Sequence, residues 1–325
     1  MGYRNLRSAL VTLAGVTAIT APALAQSFPP QRVRIVVPFA AGGPADVIAR
    51  IIVQRLPAHW GNQTIVENIP SGAGNVGTAA VAKAPADGHT VLVTTGSITI
   101  NPSLLAKVNW DPVRDFAPIS MLAASTHVVA VHPSLPAKNI NELAELLRAN
   151  PGKYSFASGG LGTTGQLSFE LFKQTIGADV AHVPFGGAGP ALASTLGGHT
   201  LILSAALPGV AANIEDGSLR GLALTSDKRS AVLPNVPTFV EAGYAGLECH
   251  FPVVMLAPAG TPASTVDLWH REIVRIFALP EVMEHVSKLG FEPIASSPDQ
   301  LGTWIKTELP RWAKVIRDAK IARTE

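Results

Sequence analysis

Twice in this chain a short β-branched run enters a glycine-rich turn that opens a helix with an apolar stripe, the two copies standing about 120 residues apart. In the first, Arg34-Ile35-Val36-Val37 reads as a buried strand, Pro38 to Pro44 as the turn, and Val47, Ile48, Ile51, Ile52 and Leu56 as one helical stripe. In the second, Tyr154 to Ala157 is the strand, a Gly-rich turn follows, and Gln166 to Ile176 is the helix. A repeated unit of this kind commits the chain to α/β architecture, with one unit in each of two lobes. Two lobes also suit the size, since about 300 residues exceed what one compact core usually organises.

Residues 1–26 stand apart from that fold. Arg4 and Arg7 precede an apolar run from Ala9 to Ile19, and Ala23-Leu24-Ala25 before Gln26 gives the small-x-small pattern of a cleaved signal peptide. The run is shorter than the roughly 20 apolar residues a spanning helix needs, so export is expected rather than anchoring. The full chain has 25 basic and 23 acidic residues, and the leader removes Arg4 and Arg7 but no acid, which leaves the charges balanced. Nothing basic or aromatic-interleaved points to nucleic acid. Cys249 is the one cysteine, expected as a buried small residue, and the nine histidines are scattered without metal-ligand spacing. Neither a metal nor a cofactor is expected.

Between the two units, Thr64 to Glu67, Thr90 to Val93 and Val128 to Val131 read as strands, the last entered from a connection containing Met121 and Leu122. Ala181 to Val183, His199 to Leu203 and Leu219 to Leu224 read as further strands, and the last third as helical, with Ser297-Pro298 opening a helix that carries Leu301, Trp304 and Ile305. Trp304 and Trp312 are expected to pack.

Gly160 to Gly165 and Gly72 to Gly77 both spell G-x-G-x-x-G, the letters of a dinucleotide turn. That fingerprint needs an acid at the C-terminal end of the next strand to hold a ribose hydroxyl. The acids available, Asp87 and Asp179, precede their strands, so they belong to the wrong side of the sheet. The glycine runs are then either flexible loops without a ligand or anion sites. Gly42-Gly43 and Gly160-x-Gly162 each bring bare backbone N–H groups to a helix start, where unpaired donors and the helix dipole favour an anion.

The stretches VPFAAGGPADVIAR (37–50), VENIPSGAGNVGTAAVAKAPADGHTVLV (66–93) and NPSLLAKVNWDPVRDFAPIS (101–120) carry a family pattern, as do HVPFGGAGPAL and LALTSDKRSAVLPNVPTFVEAG further on. In these the chain resembles the periplasmic solute-binding receptors of tripartite tricarboxylate transporters, the Bug (Bordetella uptake gene) family, over essentially its whole length. The resemblance implies a type II periplasmic-binding-protein fold, a Venus flytrap whose two α/β lobes are joined by two crossover strands. Lobe 1 would comprise 27–125 and 251–325, and lobe 2 residues 126–250. It further implies a monomer in the periplasm that closes on a small carboxylate and delivers it to membrane permease subunits. In such receptors two loops, one from each lobe, hold one ligand carboxylate. They correspond here to Phe39, Ala40, Gly42, Gly43 and Asp46, and to Gly160, Gly162, Thr163, Thr164 and Gln166. Thr95, Ser97 and Ser158 are expected as additional donors, with Phe185, Gly187 and Ala205 on the second wall. Asp46 suits helix capping as well as ligand contact, and His250 is a further cleft residue.

Three departures from the family pattern bear on the ligand. Gln166 stands where the pattern has His, Phe185-Gly186-Gly187 where it often has YKG, and Thr200 to Ala205 where an acidic strand is usual. The second wall becomes apolar and neutral, which favours a monocarboxylate, an aromatic acid or a small neutral compound over citrate, because a second buried carboxylate would need a cation. The other readings of the same residues are a sensor feeding a signalling system and an exported α/β enzyme, although no G-x-S-x-G elbow is present.

Overall fold

The computed structural model describes residues 29, 31–61, 64–70, 72–318 and 320–323, so the leader expected over residues 1–26 lies outside the described residues. The first unit forms from β1 (Val33–Val37) and α1 (Pro44–Arg55), continued by α2 (Pro57–Trp60), β2 (Thr64–Asn68), a turn at Gly72–Gly74, α3 (Asn75–Ala82), β3 (Thr90–Thr95) and α4 (Ser97–Leu104). A long β4 (Phe116–Val131) then leads to α5 (Ile140–Ala149) and to the second unit, β5 (Ser155–Ser158) and α6 (Thr164–Ile176). After these come β6 (Ala181–Pro184), α7 (Ala188–Leu196), β7 (Ile202–Ala206), α8 (Ala211–Glu215) and β8 (Arg220–Leu224). The chain returns through β9 (His250–Pro258) to α9 (Ala263–Phe277), α10 (Pro280–Lys288), β10 (Glu292–Pro293) and α11 (Pro298–Asp318).

Three sequence expectations change. Met121 and Leu122 lie inside β4 rather than in a connection, because the strand absorbs Pro118 by slipping register against β9 between Pro118 and Ser120 and again between Met121 and Ala123. The last third is not wholly helical: β9 inserts between β3 and β4, and from Pro252 onward every residue in it is buried. The strand expected from His199 starts at Ile202, since the N–H groups of His199 and Thr200 turn back to the Ser194 carbonyl and close α7.

The strands run in the order β2-β1-β3-β9-β4-β7-β5-β6, with β8 and β10 also paired to β4. β4 belongs to both lobes. Its residues 116–126 pair with β9, and 127–131 pair with β7 and β8, so the partner changes between Thr126 and His127. The second crossing lies alongside, where Cys249 N–H donates to the Thr225 carbonyl at 2.9 Å just before β9. The Thr225 hydroxyl accepts the His127 N–H at 2.9 Å, lies 3.1 Å from the Thr126 hydroxyl and donates to the Cys249 carbonyl at 2.5 Å. Both crossings are thereby fastened at one side chain.

Each lobe carries helices on both faces of its sheet, as strands flanked by striped helices require. In lobe 1, Ile48 and Ile52 of α1 meet Trp269 and Ile273 of α9 over Ile35 and Val93, and the other face joins Leu92 to Ile98, Trp110, Leu301 and Ile305. In lobe 2, Phe156, Phe169 and Phe172 pack with Leu143 and Leu147 of α5, and Leu203 and Leu224 pack with Ala191 and Val210 on the opposite face. Burying one such aliphatic side chain contributes about 1.5–3 kcal/mol. A fifth cluster lies between the lobes: Ile100 and Leu104 of α4, Leu167 of α6, Cys249, and Trp312, Val315 and Ile316 of α11.

Candidate functional site

The strand directions bring both glycine-rich turns to one place. Antiparallel β9 runs outward from His250 at the crossing and pairs Val253 with Thr95 and Leu256 with Leu92, which sets the C-terminal end of β3 beside the crossing. Parallel β1 ends there too. In lobe 2, Ala206 at the end of β7 pairs with His127, and β5 runs parallel to β7. The loops after β1, β3 and β5 therefore all open on the seam between the lobes, the place where open α/β sheets hold ligands.

In lobe 1, Asp46 is the third residue of α1 and reaches back along its own turn. Its Oδ2 accepts the Gly42 N–H and the Arg50 Nε–H, each at 2.8 Å, and its Oδ1 accepts the Asn68 Nδ2–H at 2.9 Å. Asn68 also donates to the Phe39 carbonyl at 3.0 Å, which ties the loop to β2. Burial by itself would raise the Asp46 pKa, but the bonds from Arg50, Gly42 and Asn68, with the Arg50 charge, hold it below its ordinary value. The carboxylate is 1 % exposed and already engaged on both oxygens, so Asp46 shapes the loop rather than offering a free charge.

Lobe 2 repeats the arrangement. Gln166 is the third residue of α6, and its Oε1 accepts the Gly162 N–H at 2.8 Å. The Thr163 hydroxyl accepts the Gln166 N–H at 3.2 Å as the helix cap and donates to the Gly160 carbonyl at 2.8 Å. The Ser158 hydroxyl takes the Gly160 N–H at 3.3 Å and lies 2.7 Å from His182 Nε2. Burial, with the nearby Lys173 charge, lowers the His182 pKa to about 4, so the ring is neutral and its partner is the serine.

These bonds correct one expectation. The N–H groups of Gly42, Gly160 and Gly162 are not bare; side chains of their own loops already take them. At the helix starts themselves, the N–H groups of Ala45 and Asp46 in α1 and of Thr164 and Gly165 in α6 have no hydrogen bond among the described residues. The unpaired donors at the two helix starts, of the kind that favours an anion, are thus shifted by two or three residues from the glycines.

The seam itself is a contact between the two G-x-G-x-x-G copies. Ala73, in the left-handed region at φ 54°, has its carbonyl held by Asn101 Nδ2 at 2.8 Å. A Cβ on Gly162 would stand 3.9 Å from the Ala73 methyl and only 2.4 Å from Leu104 Cδ2. Gly74 lies against the Phe39 ring, 3.1 Å from where its Cβ would be, so Phe39, the 72–74 turn and Gly162 form one line across the lobes. Beside it, a Cβ on Gly96 would stand 3.0 Å from Thr164 Cγ2. The Thr95 and Ser97 hydroxyls flank Gly96 and lie 3.3 Å from each other. Asp87 and Asp179 precede β3 and β6, at the ends away from the seam, as a dinucleotide site does not allow.

The remaining residues divide. Gly187 lies beside Gly159, and Phe185 is adjacent to Gly160 through its carbonyl, but the Phe185 ring packs on the lobe 2 cluster of Ala157 and Leu203. Ala205 belongs to that same cluster and is 5 % exposed. His250 is exposed at the start of β9, Cys249 is buried with its thiol pushed up to about 12, and Trp304 and Trp312 pack, as expected of them. Four residues at the seam were not read from the sequence: Asn68, Asn101, His127 and Thr225. Each acts through a partner 22 or more residues away in sequence, so no local pattern signals it.

Among the described residues no three His, Cys, Asp or Glu side chains gather at metal-binding distance, and no helix is long and apolar enough to cross a membrane. The family model described as the tripartite tricarboxylate transporter family receptor matches residues 48–321. The chain is 32% identical to BugT of Bordetella pertussis over 320 residues, covering 98% of each. Among solved structures it is similar to the periplasmic binding protein BugD, at 31% identity and TM-score 0.83 over 91% of this chain and 100% of that one. It is also similar to R. palustris Rpa4515 with adipate, at 33% identity and TM-score 0.84, covering 91% of this chain and 99% of that one. A two-lobed α/β fold with its loops turned to a common seam, matched along nearly its full length, places the chain in the tripartite tricarboxylate transporter receptor family.

Proposed function

We propose that this receptor binds a small organic carboxylate at the seam, in the periplasm, and presents it to the membrane subunits of a tripartite carrier. The observation that carries this reading is the pair of helix starts with unpaired N–H groups, Ala45 and Asp46 in one lobe and Thr164 and Gly165 in the other, brought to the same face by strand direction. A carboxylate has two oxygens and can accept from both sets, so it stabilises the arrangement in which the lobes are together. Phe39 through Asp46, Thr95, Ser97, Ser158, Gly160 through Gln166 and the 185–187 loop make up the site. The adipate held by Rpa4515 is a carboxylate of the same class. No unpaired cation stands in either loop, Arg50 being committed to Asp46, and this favours ligands with one buried carboxylate.

The test is a thermal-shift screen of mono-, di- and tricarboxylates with calorimetry on the hits. A receptor is stabilised by a ligand that is recovered unchanged, by about 2.7 kcal/mol at a hundredfold excess over Kd. Chemical turnover of the hit would favour the enzyme reading, and tight selective binding of citrate would overturn the preference for one carboxylate.

A further inference from the structure

His127 touches the seam and the crossing at once. Its backbone N–H and C=O are bonded to Thr225 at the second crossing, and its ring nitrogen Nε2 lies 3.0 Å from the Thr164 hydroxyl at the first residue of α6. The ring is 2 % exposed, lies edge to face with Phe251 at 5.5 Å, and has no hydrogen-bond partner for Nδ1 among the described residues. Thr164 is 4 % exposed, its methyl lies against Gly96 of the opposite lobe, and its hydroxyl has no other hydrogen bond among the described residues.

A neutral imidazole carries one proton, so one ring nitrogen donates and the other accepts. If Nδ1 held the proton, a buried N–H would have no hydrogen-bond acceptor among the described residues. If Nε2 holds it, the orphan at Nδ1 is an acceptor, which buried structure tolerates more readily than an orphan donor. From this we infer that His127 is a positioning residue in the Nε2–H form, donating to the Thr164 oxygen so that the Thr164 hydroxyl proton is left to point at the ligand. A hydroxyl can donate or accept, and His127 removes the choice. Thr164 then offers two donors to one anion, its O–H and its backbone N–H, and the site discriminates for acceptors such as carboxylate oxygens and against ligands that present N–H or O–H there. The ring stays neutral across physiological pH, since burial, with His250 nearby, lowers its pKa to about 3. This inference rests on the carboxylate reading for the ligand, but not for the tautomer.

Two measurements test it. In histidine-selective 15N-labelled protein, long-range 15N–1H correlation spectra, assigned with His127→Gln, should show the Nε2–H pattern for His127; an Nδ1–H pattern overturns the inference without any ligand present. Acetate, as the simplest carboxylate, is then titrated while the amide signals of Thr164 and Gly165 are followed. The wild type, Thr164→Ser and His127→Gln, whose amide still donates, should respond alike, while Thr164→Val and His127→Phe should weaken the response by about fivefold to tenfold. Equal affinity in Thr164→Val overturns the donor role. No response in the wild type overturns the donor role and the carboxylate reading together, and leaves the tautomer to be decided by the first spectrum.

Discussion

Asp46 and Gln166 occupy the same place in the two lobes: each is the third residue of the helix after a glycine-rich turn, and each accepts the N–H of the glycine four residues before it at 2.8 Å. The difference between them is chemical. The Asp46 carboxylate is filled by Gly42, Arg50 and Asn68, whereas the Gln166 amide gives one oxygen to Gly162 and keeps an NH2 group that the described residues do not occupy. Lobe 1 thus uses a charge to hold its loop, and lobe 2 does the same with a neutral group.

Replacing Gln166 by Glu preserves the acceptor for Gly162 and adds a negative charge that has no Arg50 beside it. The fold is expected to survive, and affinity for an anionic ligand to fall by about tenfold or more, which corresponds to about 1.4 kcal/mol. Calorimetry on the variant checks this, with unfolding in urea as the control. Unchanged affinity would mean that the start of α6 does not hold the ligand's charge.

Gly162→Ala tests whether contact between the lobes matters for binding. The residue sits at φ +73°, where a side chain costs about 1–2 kcal/mol. Its methyl would also enter the Leu104 side chain, 2.4 Å away. Binding should weaken, and the added change Leu104→Ala should recover the steric part but not the backbone part. If the double variant binds no better than Gly162→Ala alone, the seam contact is not what the methyl disturbs.

His127 and His182 predict a stability slope on the acid side of neutrality. Both have folded pKa values below the ordinary 6.5, at about 3 and about 4, because burial disfavours their charged forms. Between those values and 6.5 the unfolded chain binds more protons than the folded one. Their contribution is therefore complete above pH 6.5 and lost as pH falls toward 4, with His127 alone accounting for up to about 1.4 kcal/mol per pH unit. Urea midpoints measured from pH 7.5 to 4.5 should fall, and His127→Gln should flatten the curve; an identical slope in that variant would rule out His127 as its source.

Trp312→Ala removes a side chain that is 2 % exposed and lies among residues of both lobes, Ile100 and Leu104 on one side and Leu167 on the other. A loss of about 3–5 kcal/mol is expected from equilibrium unfolding, as for other buried aromatic truncations. Hydrogen exchange should then rise along α6 as well as α11. Faster exchange in α11 alone would show that the cluster does not join the lobes.

The sequence displayed the fold wherever periodicity was uninterrupted. The β1–α1 and β5–α6 units have clean strands and stripes, and both formed within a few residues of their expected bounds. β4 and β9 were harder for a physical reason: Pro118 and the polar run Ser125, Thr126 and His127 break the apolar pattern, yet they are tolerated through register slips and bonds to Thr225 that only the tertiary structure supplies. That two loops would form the candidate site was readable because glycines and helix starts announce themselves, and the structure brings both loops to the seam. Which N–H groups are free was not legible, since it depends on Asp46 and Gln166 folding back over their own turns. Asn101 and His127 had no local signature at all.

Thr225 has a mechanical consequence. Two separate connections between rigid bodies would allow each to flex by itself, and the bodies could then twist as well as swing. With His127, Thr126 and Cys249 all bonded to one threonine, the two connections turn together about a common pin. A swing of one lobe against the other is therefore expected to follow a single axis, since neither connection can bend without carrying Thr225 and the other connection with it.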